Sequence, residues 1–242
     1  MNALSPAADG VPRCSWAARE PETGYHDTEW GFPVGDDVRL FEKICLEGFQ
    51  SGLSWRTILL KRDNFRAAFA GFDIPTVAGF GEHEVERLLG DAGIIRHRGK
   101  INAAINNAAR ALELIDEAGS LAAFVWRFEP EVAADPTAEP VSITPESVAL
   151  STALKKRGWK FVGPTTMYAF MQSMGVVNDH APGCLTYEPV ARAREQFSRP
   201  KPPAGVPLSP PRPPDQSSGS PNSPPRKRIR PRSPRSSIAP PK

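Results

Sequence analysis

Between residues 36 and 175, apolar residues recur at helical spacing in one segment after another, and strand-like alternation bounded by turns is scarce. That regularity restricts the body to an all-α class in which helices pack face to face. Asp36 is placed to cap a helix reaching Phe49, with Leu40, Phe41, Ile44 and Cys45 on one face. Trp55 to Phe69 holds one or two more helices. The spacing predicts a short helix over 84–89, a long one from Lys100 to Ile115, and another over 121–128. Thr144-Pro145-Glu146 supplies a capping hydroxyl, a proline at the first position and an acid in the first turn. That helix is expected to run to Arg157 and stop at Gly158. Thr165 to Met174 is the last, ended by Gly175. No run of 18 apolar residues exists, so neither a spanning helix nor a membrane partner is expected.

The formal charge of +3 hides an asymmetry. Residues 198–242 carry ten Lys or Arg and one acid, and 15 of the 27 prolines fall within 200–241. Such a segment buries too little apolar surface to offset its ordering entropy, so a disordered basic tail is expected over 198–242. The rest of the chain is net −6. A role on nucleic acid must therefore come from local patches of the body. Residues 1–12 are expected to be a loose leader and 13–192 the folded domain. The first residues lack a basic stretch followed by an apolar one, so no secretory signal is expected. Three cysteines argue against a disulfide framework and for a reducing compartment, or for a metal.

Four constellations carry possible chemistry. Cys14, His26, His180 and Cys184 form a set of two thiols and two imidazoles that suits tetrahedral Zn2+. With four protein ligands no position is left for water, so such a site would be structural. The same residues also read as two unrelated pairs. The run Tyr25-His26-Asp27-Thr28-Glu29-Trp30-Gly31 has no amphipathic period and reads as an irregular, partly buried lead into the first helix. Glu47 stands among the apolar residues of the helix from Leu40 to Phe49, either as a rim ion-pair partner or as a pocket acid. Gly48 and Gly52 beside it suggest close backbone approach. Finally, Asp91 to Lys100 joins two helices through a glycine-containing hairpin with Arg96, Arg98 and Lys100. This is an anion grip suited to a duplex backbone, or a basic turn on a solvated face. Cys45 reads as a small buried hydrophobe.

Six blocks occur in order: RCSWA at 13–17, YHDTEWG at 25–31, LFEKICLEGFQSGLSW at 40–55, DAGIIRHRGKINAAINNAARA at 91–111, LKKRGWKFVGPTT at 154–166 and YAFMQSMGVVNDHAPGC at 168–184. Together they resemble the 3-methyladenine DNA glycosylase I family and span most of 13–187. The resemblance implies a helix-hairpin-helix glycosylase fold whose termini are joined by a structural zinc at Cys14, His26, His180 and Cys184. It implies a pocket acid at Glu47, aromatic walls at Tyr25 and Trp55, and a duplex wedge at Gly52-Leu53. It places DNA contacts at Leu53, Gly93, Arg96, Arg98 and Lys100. Two departures stand out. The stretch from Cys14 to His26 is one residue short, and Glu22, Thr23 and Gly24 stand where many members have a second pocket tyrosine.

The activity so implied is base-excision repair, with Glu47 as the catalytic candidate. A base flipped from double-stranded alkylated DNA would be cut from its sugar by water, leaving an abasic site without strand cleavage. The protein is expected to act as a monomer in the cytoplasm, at the nucleoid of a bacterium, or in the nucleus of a eukaryote. Asp179 suggests either a water-activating acid or an orienting partner for His180. The alternative is a non-catalytic, zinc-containing DNA-binding module. Arg226 to Arg232 suggests salt-sensitive DNA affinity for the tail, a localisation signal, or a solvated run.

Overall fold

The computed structural model describes residues 4–6, 9–132 and 141–203. Among them the architecture is helical apart from one two-stranded ribbon. In that ribbon β1 (Leu4–Pro6) pairs antiparallel with β2 (Pro12–Cys14), and Leu4 lies opposite Cys14. The expected loose leader is corrected here. Strands of three residues are too short to announce themselves by alternation.

The expected irregular lead at Tyr25 is also corrected, because it lies within a helix, α1 (Glu22–Thr28), that buries Tyr25 and His26. The central element is α2 (Asp37–Gln50), in which every residue from Leu40 to Phe49 is buried. Asp36 caps it as predicted, accepting from the Arg39 amide at 2.8 Å. A turn through Gly52, at φ +80°, leads to α3 (Trp55–Leu59) and then α4 (Arg62–Ala68). A short α5 (Ile74–Ala78), capped by Asp73, was not expected. The pair α6 (Glu82–Gly90) and α7 (Arg98–Ala118) follows, with His97 capping α7 by accepting from the Lys100 amide. Next come α8 (Leu121–Val125), α9 (Pro145–Lys156), α10 (Pro164–Ser173) and an unexpected α11 (Tyr187–Gln196). Thr144 and Gly158 act as predicted, as cap and left-handed stop of α9.

The core lies between α2, α4, α7 and α10, with Phe41, Phe49, Phe65, Phe69, Phe72 and Phe170 fully buried. Gly175, at φ +70°, brings the end of α10 against Phe32 and Pro33, where a Cβ would sit 2.5 Å from the backbone. This close approach sets the chain between α1 and α2 beside the loop that carries His180.

The boundary of the expected tail moves as well. Phe197 packs on Trp126 with ring centroids 4.6 Å apart and planes tilted by 38°, and Arg199 grips Glu129 at 2.8 and 3.0 Å. Pro200 lies on Gly35 and Pro203 on Gly119. Residues 198–203 therefore belong to the body. The rest of the expected tail, including Arg226 to Arg232, lies outside the described residues. Among those described, no helix is long and apolar enough to cross a membrane.

Candidate active site

Three helices meet at Glu47. α1 supplies Tyr25, α2 supplies Glu47 and Lys43, and the first position of α3 supplies Trp55. Tyr25, Glu47 and Lys43 are buried. The Lys43 ammonium lies 2.9 Å from Glu47 Oε1 and donates to the Tyr25 hydroxyl at 2.9 Å. It also sits 3.3 Å from the centroid of the Trp55 ring and 5.1 Å from that of Tyr25. Burial pushes the Lys43 ammonium below the usual lysine range, with Glu47 opposing the shift. Burial, then the Glu47 charge, pushes the Tyr25 phenol well above its own. Trp55 Nε1 is buried and has no hydrogen-bond partner.

The geometry sharpens two expectations. Glu47 is both a buried acid and one half of an ion pair, a choice the residues alone left open. The rings of Tyr25 and Trp55, expected as walls, are neighbours with centroids 5.3 Å apart and tilted by 43°. A base stacked between them needs about 7 Å, two contact distances. The walls are thus closed around Lys43. At the place where many members have a second tyrosine, Glu22 pairs with Arg56 of α3; nearby, Arg62 forks Glu29 at 2.8 and 2.9 Å.

Cys14, His26, His180 and Cys184 converge, all buried, with their ligand atoms within 4.8 Å of one another. His26 Nε2 lies 3.2 Å from His180 Nδ1 and 3.3 Å from Cys184 Sγ. His180 Nδ1 lies 3.6 Å from Cys184 Sγ and 3.8 Å from Cys14 Sγ. This group can hold a metal ion. The outer ring nitrogens are held too: His26 Nδ1 by Asp27 at 2.8 Å, and His180 Nε2 by the Trp30 carbonyl at 3.0 Å. Arg13 in turn forks Asp27. Asp179 does not orient His180. It accepts from Tyr168 at 2.5 Å and Gln172 at 2.7 Å, which ties it to α10.

The expected DNA contacts divide. Arg96 is exposed on the Asp91–His97 connection. Arg98 is exposed but paired with Glu82, at 2.5 Å, and Glu86. Lys100 is a correction: it points inward and donates to the Phe49 and Ser51 carbonyls at 3.0 and 2.6 Å, closing the end of α2. The Gly93 amide is already bound to Asp91 at 2.7 Å, and Lys61 holds the Gly93 carbonyl at 3.1 Å. Leu53 is 42% exposed on the turn before Trp55. Phe161, also exposed and at φ +55°, packs over Gly48 at the same end of α2. That contact is the close approach expected of Gly48.

A helical frame that gathers a buried carboxylate and two aromatic rings around one site, with an exposed leucine on the turn before Trp55, suits a protein that draws a flat base out of a duplex, as DNA glycosylases do. Comparison with known proteins gives the branch. Residues 16–187 match the family model described as methyladenine glycosylase. The chain is 52% identical over 182 residues to DNA-3-methyladenine glycosylase 1 of Escherichia coli K12, spanning 73% of this chain and 97% of that one. It is 45% identical to DNA-3-methyladenine glycosylase of Haemophilus influenzae over 177 residues, 71% of this chain and 96% of that one. Its fold matches the crystal structure of a 3-methyladenine DNA glycosylase I with TM-score 0.68 and 50% identity, covering 72% and 99% of the two chains. The Staphylococcus aureus enzyme, solved for its recognition of 3-methyladenine, matches with TM-score 0.68 at 31% identity, covering 72% and 96%. The chain belongs to the methyladenine glycosylase family.

Proposed function

We propose that this chain removes 3-methyladenine from alkylated double-stranded DNA, with Tyr25, Glu47 and Trp55 as the base pocket. The observation that carries the proposal is the Glu47 carboxylate, buried and joined through Lys43 to the Tyr25 and Trp55 rings, in a chain of this family. Flipping the base out of the stack costs a few kcal/mol, less for a damaged base. Leu53 fills the gap it leaves. Methylation at N3 makes the base a cation. Ring faces stabilise a cation by about 0.5–2 kcal/mol, and a charge-assisted hydrogen bond adds about 1.5–3 kcal/mol. Cleavage breaks the C1′–N9 bond, and its electron pair neutralises the base. Water forms the new C1′–O bond and gives up a proton. The product is an abasic site with its strand intact.

The helix pair α6–α7 serves as a helix-hairpin-helix grip, with Arg96 and the hairpin backbone facing phosphate and the Arg98 charge shared with Glu82 and Glu86. The Cys/His cluster holds zinc as a structural ion. A tetrahedral Zn2+ with these ligands gives S···N edges of about 3.6 Å and N···N edges of about 3.4 Å, and the separations of 3.3–3.8 and 3.2 Å fit. Zinc there supplies cross-linking, and four protein ligands leave no place for a reacting water. The protein works as a monomer wherever its DNA lies.

Incubation with methylated duplex tests the reading. Wild type releases free 3-methyladenine, and the strand breaks only after alkali. A Glu47→Gln variant releases it more slowly by about ten- to a hundredfold, the loss of one charge-assisted bond. No release by wild type would leave only a DNA-binding module.

A further inference from the structure

The Lys43 ammonium occupies the seat that the base would take. It lies on the face of Trp55 at 3.3 Å, reaches the Tyr25 ring at 5.1 Å, and holds both the Glu47 carboxylate and the Tyr25 hydroxyl at 2.9 Å. Each interaction proposed for the lesion, cation on ring and cation on Glu47, is already made by this side chain. The closed rings, 5.3 Å apart, describe the same state from the other side.

We infer that Lys43 is a resident cation that substrate displaces and that returns to expel product. The inference rests on the base-pocket reading above. A buried acid left without its partner is costly. The 3-methyladenine of damaged DNA carries a positive charge, so it replaces the ammonium charge for charge. A normal base carries none and would strand Glu47, which keeps the pocket shut against ordinary DNA. After cleavage the base has taken the bonding electron pair and is neutral near pH 7. Lys43, the cation already paired with Glu47, is then the charge that returns to it, and its return clears the pocket. Lysine suits this task because its ammonium is a compact charge on a flexible stem of four carbons.

The test is product inhibition, using free 3-methyladenine as the probe in the excision assay on methylated duplex, with the full chain. Lys43→Met keeps the length of the side chain and removes the charge. Its inhibition constant for 3-methyladenine falls by about tenfold or more, the order of one lost cation–π contact and one charged bond. Lys43→Arg, which keeps a cation, stays within about threefold of wild type on the same scale. Unchanged or weaker product binding in Lys43→Met, at unchanged metal content and Tm, overturns the inference. Should Lys43→Met not fold, a crystal structure of wild type with 3-methyladenine decides. Displacement of the ammonium from the Trp55 face supports the inference, and its retention beside a bound base overturns it. If wild type excises the base in a Glu47-dependent manner while Lys43→Met binds no tighter, only the role of Lys43 fails. If wild type does not excise it, the base-pocket reading fails first.

Discussion

Lys43 and Glu47 stand one turn apart on α2, and only one of them was legible as functional. Glu47 stood out as an acid on an apolar face. Lys43 carried the same signal, a charge on that face four residues earlier, but a residue that neutralises an acid leaves no mark in a search for acids. The Cys/His cluster was legible as residue types, whereas its outer partners were not. Asp27 and the Trp30 carbonyl hold the two imidazoles, and Asp179 turns to Tyr168 instead. A backbone carbonyl has no signature in sequence, and Asp27 was hidden by its neighbours. His26 directly follows Tyr25, so the Cys/His cluster also fixes the ring proposed as one wall of the pocket. Replacing Cys184 with Ala is therefore expected to abolish stoichiometric metal binding and lower Tm by about 10 °C or more. Metal analysis with thermal melting checks this, and an unchanged Tm in the metal-free variant would show that the cluster carries no stability.

At the scale of elements, the long periodic helices were readable and the short ones were not. α2, α7 and α9 announced themselves by caps and stripes. α1, α5 and the ribbon are too short for a period, and α11 buries only Val190 and leans on ion pairs such as Arg194 with Glu129. The hairpin shows a related limit: sequence gives the number of charges but not the direction in which they point. Arg96, Arg98 and Lys100 look alike there, yet they have three different surroundings. Arg96→Ala is predicted to reduce the log–log salt slope of DNA binding by about 0.9, the release of one counterion. Lys100→Met is predicted to leave that slope unchanged and to cost about 1–3 kcal/mol of stability, because the Phe49 and Ser51 carbonyls lose their donor. Salt titrations and denaturant melts separate the two. A slope change in Lys100→Met would return Lys100 to the DNA face.

Across the whole molecule, the Cys/His cluster brings the ribbon and α1 against the chain before α11, so segments far apart in sequence meet at one point beside Tyr25. The body extends past that point to residue 203, beyond the boundary composition suggested, because Phe197 and Arg199 pack on Trp126 and Glu129. Proline and arginine counts mark a change of composition, and they say nothing about the few residues that still find a surface. Truncation after residue 203 is predicted to leave Tm unchanged. Truncation after residue 196 is predicted to lower stability by about 2–4 kcal/mol, one buried aromatic with its neighbours. Equal Tm values for the two truncations would put the limit of the body at α11. All these parts serve one claim, that a cationic base is taken into the Tyr25–Glu47–Trp55 pocket and released. The most direct measurement is the single-turnover rate of 3-methyladenine release from a methylated duplex. The account predicts fast release by wild type and a rate lower by about ten- to a hundredfold for Glu47→Gln with metal and Tm retained. Equal rates for the two proteins would contradict it.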